Sequence, residues 1–217
     1  MHIPDGLIAP QVYLTAYAAA VPAWAWAVRK VARDFDESLI PRLAVLTALA
    51  FVLTSVMIPL PGGTSAHVIG VGLLALAFGI WPAFLAYSLV LVLQSLLLGA
   101  GGITVLAINA LAMGLAGAAV TVGVHRLLVG WRRPVAVMVA TIVGVWCGVV
   151  AAAVLVALVL GVQPLMGSDA SGQPLFFPFG PAVTLPVIVI PHLIVGAGEA
   201  VLTWMVLSVA ERRKAPA

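Results

Sequence analysis

Charge is scarce in this chain. Ten Lys and Arg and seven Asp and Glu make up 8% of its 217 residues, where a soluble domain carries roughly 25%. So few charges cannot cover a water-facing surface, which excludes a soluble globular protein and makes lipid the main solvent. Cysteine is nearly absent. A single Cys147, set in an apolar run, rules out an internal disulfide. Missing too is G-x-x-x-x-G-K-[ST], which leaves no site for ATP, and H-E-x-x-H, which leaves an intramembrane zinc protease without support. There is no internal repeat of the kind that marks rocking-bundle transporters. No polar linker divides the chain, so residues 1–217 read as a single transmembrane domain.

What is present is apolar: 64% hydrophobic residues and a mean hydropathy of +1.22. Apolar stretches predict seven helices, at 9–29, 43–58, 67–80, 82–98, 103–124, 135–160 and 181–209. The expected class is an all-α integral membrane protein with seven transmembrane helices. The third and fourth stretches fall short of the about 20 residues a spanning helix needs, so they call for tilt or support from neighbours.

The basic residues orient the chain. Arg29, Lys30, Arg33 and Arg42 lie between the first two stretches, Arg126, Arg132 and Arg133 between the fifth and sixth, and Arg212, Arg213 and Lys214 in the tail. With seven crossings all ten fall on one side, which the positive-inside rule assigns to the cytoplasm. That places the N-terminus outside and the C-terminus in the cytoplasm. The positive charge is then topological, not a nucleic-acid footprint. MHIPDGLIAP has no basic run and no small-residue cleavage site, so it is not expected to be a removed signal peptide. The outer side gathers this free end with PLPGGTSAH (59–67), GAGGI (99–103) and the long segment 161–181, all rich in Gly and Pro. Irregular backbone at this depth is tolerated where it is buried in protein or lines a cavity. A closed pocket at the outer mouth is expected.

Four histidines divide by depth. His125 belongs with Arg126 at the inner border. His192 lies about mid-membrane in the last helix with Glu199 two turns further on, a pairing that reads first as a buried pair fixing helix packing. His2 and His67 both fall on the outer side. The Met1 α-amine and the His2 backbone nitrogen can close a five-membered chelate ring, and that nitrogen with the His2 Nδ1 a six-membered one. Once the His2 amide loses its proton, three nitrogens lie in one plane, and His67 can supply a fourth. A tetragonal four-nitrogen set suits Ni(II) or Cu(II) rather than tetrahedral zinc, and Co(II) less well. A free α-amine titrates near about 7.7–8.0, so it can coordinate at neutral pH. Asp5-Gly6 is a turn signal that can aim the chain end inward, and Gly62 and Gly63 can let the second loop approach closely. The same residues also fit an accidental His2 in a frayed terminus and an interfacial His67.

MHIPDG, VPAWAWAVRK (21–30), PGGTSAHVIGVGLLALAFG (61–79) and GGITVLAINALAMG (101–114) together resemble the NikM/CbiM family, the membrane-embedded substrate-binding S components of nickel and cobalt energy-coupling-factor transporters. The resemblance implies a six-helix S-component core preceded by an extra N-terminal helix. It implies metal ligands at Met1, His2 and His67, and Ni(II) as the transported substrate with Co(II) second. It implies as partners a transmembrane coupling component, cytoplasmic ABC ATPases and a small accessory membrane subunit, in the inner (plasma) membrane of a prokaryote. The chain itself would be a transport subunit, not an enzyme. Cobalt members tend to begin Met-His-Ile-Met-Glu-Gly and to carry a Cys-Ser-His loop. MHIPDG and Thr64-Ser65-Ala66-His67 stand closer to the nickel branch. A cobalt-specific component feeding cobalamin synthesis, a solitary metal permease, and a membrane enzyme built on His192 and Glu199 are the alternatives, in that order. Thr64, Ser65, Gln94, Asn109 and His192 are candidates for the second shell around the ion. Ala44 and Ala48, a small-xxx-small pair, suit either a docking face for the coupling component or packing inside the chain.

Overall fold

Prolines mark where the helices begin. The computed structural model describes residues 2–60, 64–130 and 134–212, and 77% of it is helical. Pro10, Pro41, Pro134 and Pro181 each stand in a first helical turn, where a missing N–H has no bond to lose. Helix α1 runs Pro10–Asp34. A 3-10 turn, Glu37–Leu39, follows, with the Asp36 carboxylate accepting the Ser38 N–H at 2.9 Å. Then come α2 (Ile40–Ser55), α3 (Val71–Phe78), α4 (Ile80–Leu97), α5 (Leu106–Leu128), α6 (Pro134–Gly161) and α7 (Pro181–Arg212). Within α5 a π-helical stretch occupies Ala110–Ala116.

Helices thus lie over every expected stretch, but their lengths differ. Among the described residues, five are long and apolar enough to cross a membrane: Glu37–Ser55, Ile80–Leu97, Leu106–Leu128, Pro134–Leu165 and Pro181–Ala210. The third stretch, expected over 67–80, shrinks to eight residues, a rise of about 12 Å against a hydrocarbon core of roughly 30 Å. Two glycines cut it. Gly70 at its start and Gly79 at its end have φ of +79° and +92°, a region that L side chains rarely enter. Upstream of α3 the chain forms a hairpin instead, β1 (Ile58–Leu60) against β2 (Thr64–Ala66), with Ile58 opposite Ala66.

Small residues bring the helices together. A Cβ on Gly148 of α6 would sit 2.7 Å from the Gly117 carbonyl, and one on Gly144 would sit 2.8 Å from the Thr121 carbonyl of α5. The α5–α6 contact is therefore backbone against backbone, as membrane helices favour. Between α6 and α7, Trp146 Nε1 donates to the Leu193 carbonyl at 3.0 Å and Thr184 Oγ1 to the Ala157 carbonyl at 2.8 Å. Helix α1 is held to α4 by Trp24 Nε1 donating to Ser88 Oγ at 2.9 Å. Phe84, Tyr87 and Met113 fill the centre, fully buried, while Leu14, Val45, Val52, Leu97 and Ile194 are exposed. Apolar side chains on the outside are what lipid as solvent allows. Ala44 and Ala48 are exposed as well, lining an apolar groove with Val31, Phe51, Pro82 and Leu89, so they are not consumed by internal packing.

Candidate metal site

Residues 2–9 have no regular structure, yet they are tied down almost residue by residue. Asn109 of α5 grips Ile3 from both sides: its Oδ1 accepts the Ile3 N–H at 3.2 Å and its Nδ2 donates to the Ile3 carbonyl at 3.1 Å. The Asp5 carboxylate accepts the Ile103 N–H at 3.1 Å, the Thr104 N–H at 2.9 Å and the Thr104 hydroxyl. Gly6 then turns with φ +87°, as the Asp-Gly pair predicts. The Leu7 carbonyl accepts from Phe177 N at 3.0 Å, and Gln163 Oε1 accepts the Ala9 N–H at 2.9 Å. Ile3 and Ile8 pack into the core. The loop 99–103 can lie this close because residue 102 is glycine: a Cβ there would fall 2.1 Å from Asp5 Oδ1, while Gly101, beside His2, turns with φ +81°. The chain start and the segments around His67, 99–105 and 163–177 therefore meet in one place.

At that place two imidazoles stack. The His2 and His67 ring centroids are 4.3 Å apart with an interplanar angle of 13°, and the two residues are 7% and 2% exposed. His67 Nδ1 lies 2.9 Å from the Val68 carbonyl. A carbonyl only accepts, so Nδ1 carries the proton and Nε2 presents a lone pair. Among the described residues that Nε2 has no hydrogen-bond partner, and neither do Nδ1 and Nε2 of His2. Buried polar atoms are nearly always paired; a neutral His2 ring keeps a proton on one nitrogen, so the pair presents two unengaged lone pairs at one spot, His67 Nε2 and one nitrogen of His2. Burial pushes His2 from 6.5 down to about 3 and His67 well below 6.5. Both rings are thus neutral donors at pH 7. Among the described residues no group of three or more His, Cys, Asp or Glu gathers to hold a metal, so further donors would have to come from elsewhere than carboxylate or thiolate.

These shifts carry a sign. An unfolded histidine, near 6.5, takes up a proton that the buried ring refuses, so folding stability is full above about pH 6.5 and falls as pH drops toward 3. The melting temperature of the metal-free protein is expected to fall between about pH 8 and pH 5, and to fall less in a His2→Gln, His67→Gln variant. A second expected result concerns the clamp. Asn109→Ala leaves the buried N–H and carbonyl of Ile3 unpaired, at about 1–3 kcal/mol each, and frees His2. Lower thermal stability and roughly 10–100-fold weaker metal retention are expected together, read by melting and by equilibrium dialysis.

The remaining sequence candidates are distributed as follows. Met1 lies outside the described residues, as do Gly62 and Gly63 and the side chain of Thr64. Thr64 pairs with Leu60 and Ser65 with Pro59 across the hairpin. Gln94 Nε2 donates to Thr54 Oγ1 at 2.7 Å and its main-chain carbonyl accepts the Ala100 N–H at 3.1 Å, which shapes the α4 end, while its Oε1 has no hydrogen-bond partner among the described residues. His192 and Glu199 are both buried but not hydrogen-bonded to each other. His192 Nδ1 binds the Ile188 carbonyl of its own helix at 2.7 Å, whereas Glu199 reaches the backbone of Ile69 and Gly70. The expected buried pair is replaced by two separate anchors. Gln163 was not singled out from sequence, and Asp5 and the 99–103 segment were read only as a turn signal and as part of the Gly-rich outer side, not as partners of each other. The double glycine was the signal that a backbone approaches closely there.

The family model described as the cobalt uptake substrate-specific transmembrane region, CbiM, matches residues 2–217. The chain is 38% identical over 231 residues to the fused nickel transport protein NikMN of Rhodobacter capsulatus, covering 100% of this chain and 66% of that protein. It is 36% identical to the probable fused nickel transport protein LarMN of Lactiplantibacillus plantarum, over 98% of this chain and 65% of that one. The chain thus spans just under two thirds of the length of these two fused proteins. The cobalt transport protein CbiM of Chlorobium limicola is 36% identical over 150 residues, 66% of this chain and 58% of its own length. A crystal structure of a truncated transition metal transporter superposes with a TM-score of 0.93 at 37% identity, covering 98% of this chain and 99% of that one. This multi-pass inner-membrane protein, matched along nearly its whole length, belongs to the CbiM family.

Proposed function

We propose that the chain is the membrane-embedded capture subunit of an ATP-driven energy-coupling-factor importer for Ni(II), with Co(II) second. The observation that carries the reading is the buried, stacked pair His2 and His67, whose His67 Nε2 and His2 ring nitrogens have no hydrogen-bond partner among the described residues. In this reading the Met1 α-amine, the His2 backbone and ring nitrogens and His67 Nε2 hold the ion in a four-nitrogen plane. The names of the fused relatives, both nickel transport proteins, support nickel. A cobalt-specific component is the second reading, favoured by the family description and by the cobalt transport proteins among the relatives. The names of the relatives as transport proteins support a transport subunit over an enzyme. The N-terminus faces outward, the C-terminus faces the cytoplasm, and α1 and the short α3 complete seven segments around the ion. The transmembrane coupling component docks on exposed small residues such as Ala44 and Ala48, and cytoplasmic ABC ATPases supply the energy.

Uptake of radioactive nickel by cells lacking other nickel importers tests this directly. Accumulation is expected only when the chain is expressed with a coupling component and ATPases. Equal uptake by the chain alone would support a solitary permease instead.

A further inference from the structure

Glu199 is a carboxylate 1% exposed in the middle of α7, and groups of this kind are costly inside a membrane. Its two oxygens are both used, but not by a side chain. Oε2 accepts the Ile69 N–H at 2.7 Å and Oε1 the Gly70 N–H at 2.8 Å. Successive peptide N–H groups converging on one anion form a backbone nest, and the positive φ of Gly70, +79°, lets them converge. Gly70 is also pressed against α2, since a Cβ there would meet Ala50 Cβ at 2.9 Å.

The Ile69 N–H belongs to the same peptide unit as the Val68 carbonyl, and that carbonyl binds His67 Nδ1 at 2.9 Å. This peptide unit is trans, so its N–H and C=O point to opposite sides. A continuous chain results: carboxylate, peptide N–H, peptide carbonyl, imidazole N–H, and the bare Nε2 at the far edge of the ring. Metal-binding histidines are commonly oriented by a carboxylate on their other nitrogen, which fixes the tautomer and raises donor strength. We infer that Glu199 is the carboxylate partner of His67, acting through the 68–69 peptide, and that it thereby ties the aim and basicity of the metal-binding nitrogen to helix α7. Hydrogen bonds in series polarise one another, so the negative charge is felt at Nε2 although the carboxylate never touches the ring. Glu199 is a positioning residue, and its role rests on the reading of His67 as a metal ligand.

The test is a double-mutant cycle on the purified full chain with nickel alone as the probe. E199Q keeps size and shape but removes the charge and offers one N–H group its own kind. Its dissociation constant for nickel is expected to rise about 10–100-fold. In a His67→Ala background the same change is expected to alter binding by less than about twofold, because the path ends at His67. Nitrogen NMR of the metal-free protein is expected to show His67 held as the Nδ1–H tautomer in the parent and mixed in E199Q. Binding by E199Q equal to the parent, or the same loss in both backgrounds, would overturn the inference. Nickel binding absent from the parent would count against His67 as a ligand, and the tautomer readout would still decide whether Glu199 controls the ring. Should E199Q fail to fold, E199D, which keeps the charge on a shorter arm, is expected to retain the Nδ1–H tautomer; a mixed tautomer in E199D would contradict the chain.

Discussion

Acetylating the α-amine of Met1 is expected to weaken nickel retention about 100-fold or more, roughly 2.8 kcal/mol, without unfolding the protein. An acetylated nitrogen is an amide and offers no free lone pair, so the five-membered ring between it and the His2 backbone nitrogen would lose its basic donor. The His2 ring itself would stay where the Asn109 grip on Ile3 and the stack on His67 hold it. Acetylation enlarges the chain end and leaves the clamps on Ile3, Asp5, Leu7 and Ala9 in place, so melting should change little. Equilibrium dialysis of the parent and the acetylated protein gives the comparison. Equal retention would show that the amine takes no part.

His67→Ala is expected to cost a similar factor, about 100-fold or more, beyond the 10–100-fold range of outer partners. The reason differs. Here the chelate at the chain start survives, and the fourth donor is lost together with the ring that covers His2. His67 is 2% exposed and its Nδ1 has a partner while its Nε2 has none among the described residues, so the side chain is held by one nitrogen to present the other. His67→Gln, which fills the space without offering an imidazole nitrogen, separates donor loss from the cavity that alanine leaves. Both variants are expected to lose nickel, and the glutamine variant to keep more of the melting temperature. Retention by the glutamine variant equal to the parent would remove His67 from the site.

Membrane residence and the helical stretches were legible because they depend on sums over many residues. Periodic apolar length and the grouping of Arg and Lys survive small errors in any one position. The meeting of His2 and His67 was legible in part because the grouping of Arg and Lys puts the segments that carry them on the same side. Less was legible where one residue decides. The expected third helix was broken by Gly70 and Gly79, whose φ values are positive, and a glycine letter by itself does not say which sign of φ the chain takes there. The partner of Glu199 could not be read from α7 alone, because a backbone N–H from residues 69 and 70 has no letter in the sequence. A seven-residue spacing suggested His192 instead, and one helix face was a poorer guide than a loop 130 residues away. Asn109 and Asp5 were visible as polar residues, but their grip on backbone atoms of another segment was not.

The central claim is that an unblocked chain start and two imidazoles share one ion. X-ray absorption at the nickel edge, on protein purified with its native first residue and loaded with nickel, tests it most directly. Four nitrogen neighbours in a plane, two of them imidazole, are the expected result. Six oxygen-rich neighbours, any sulfur neighbour, or an unchanged spectrum after acetylation of the terminal amine would contradict it.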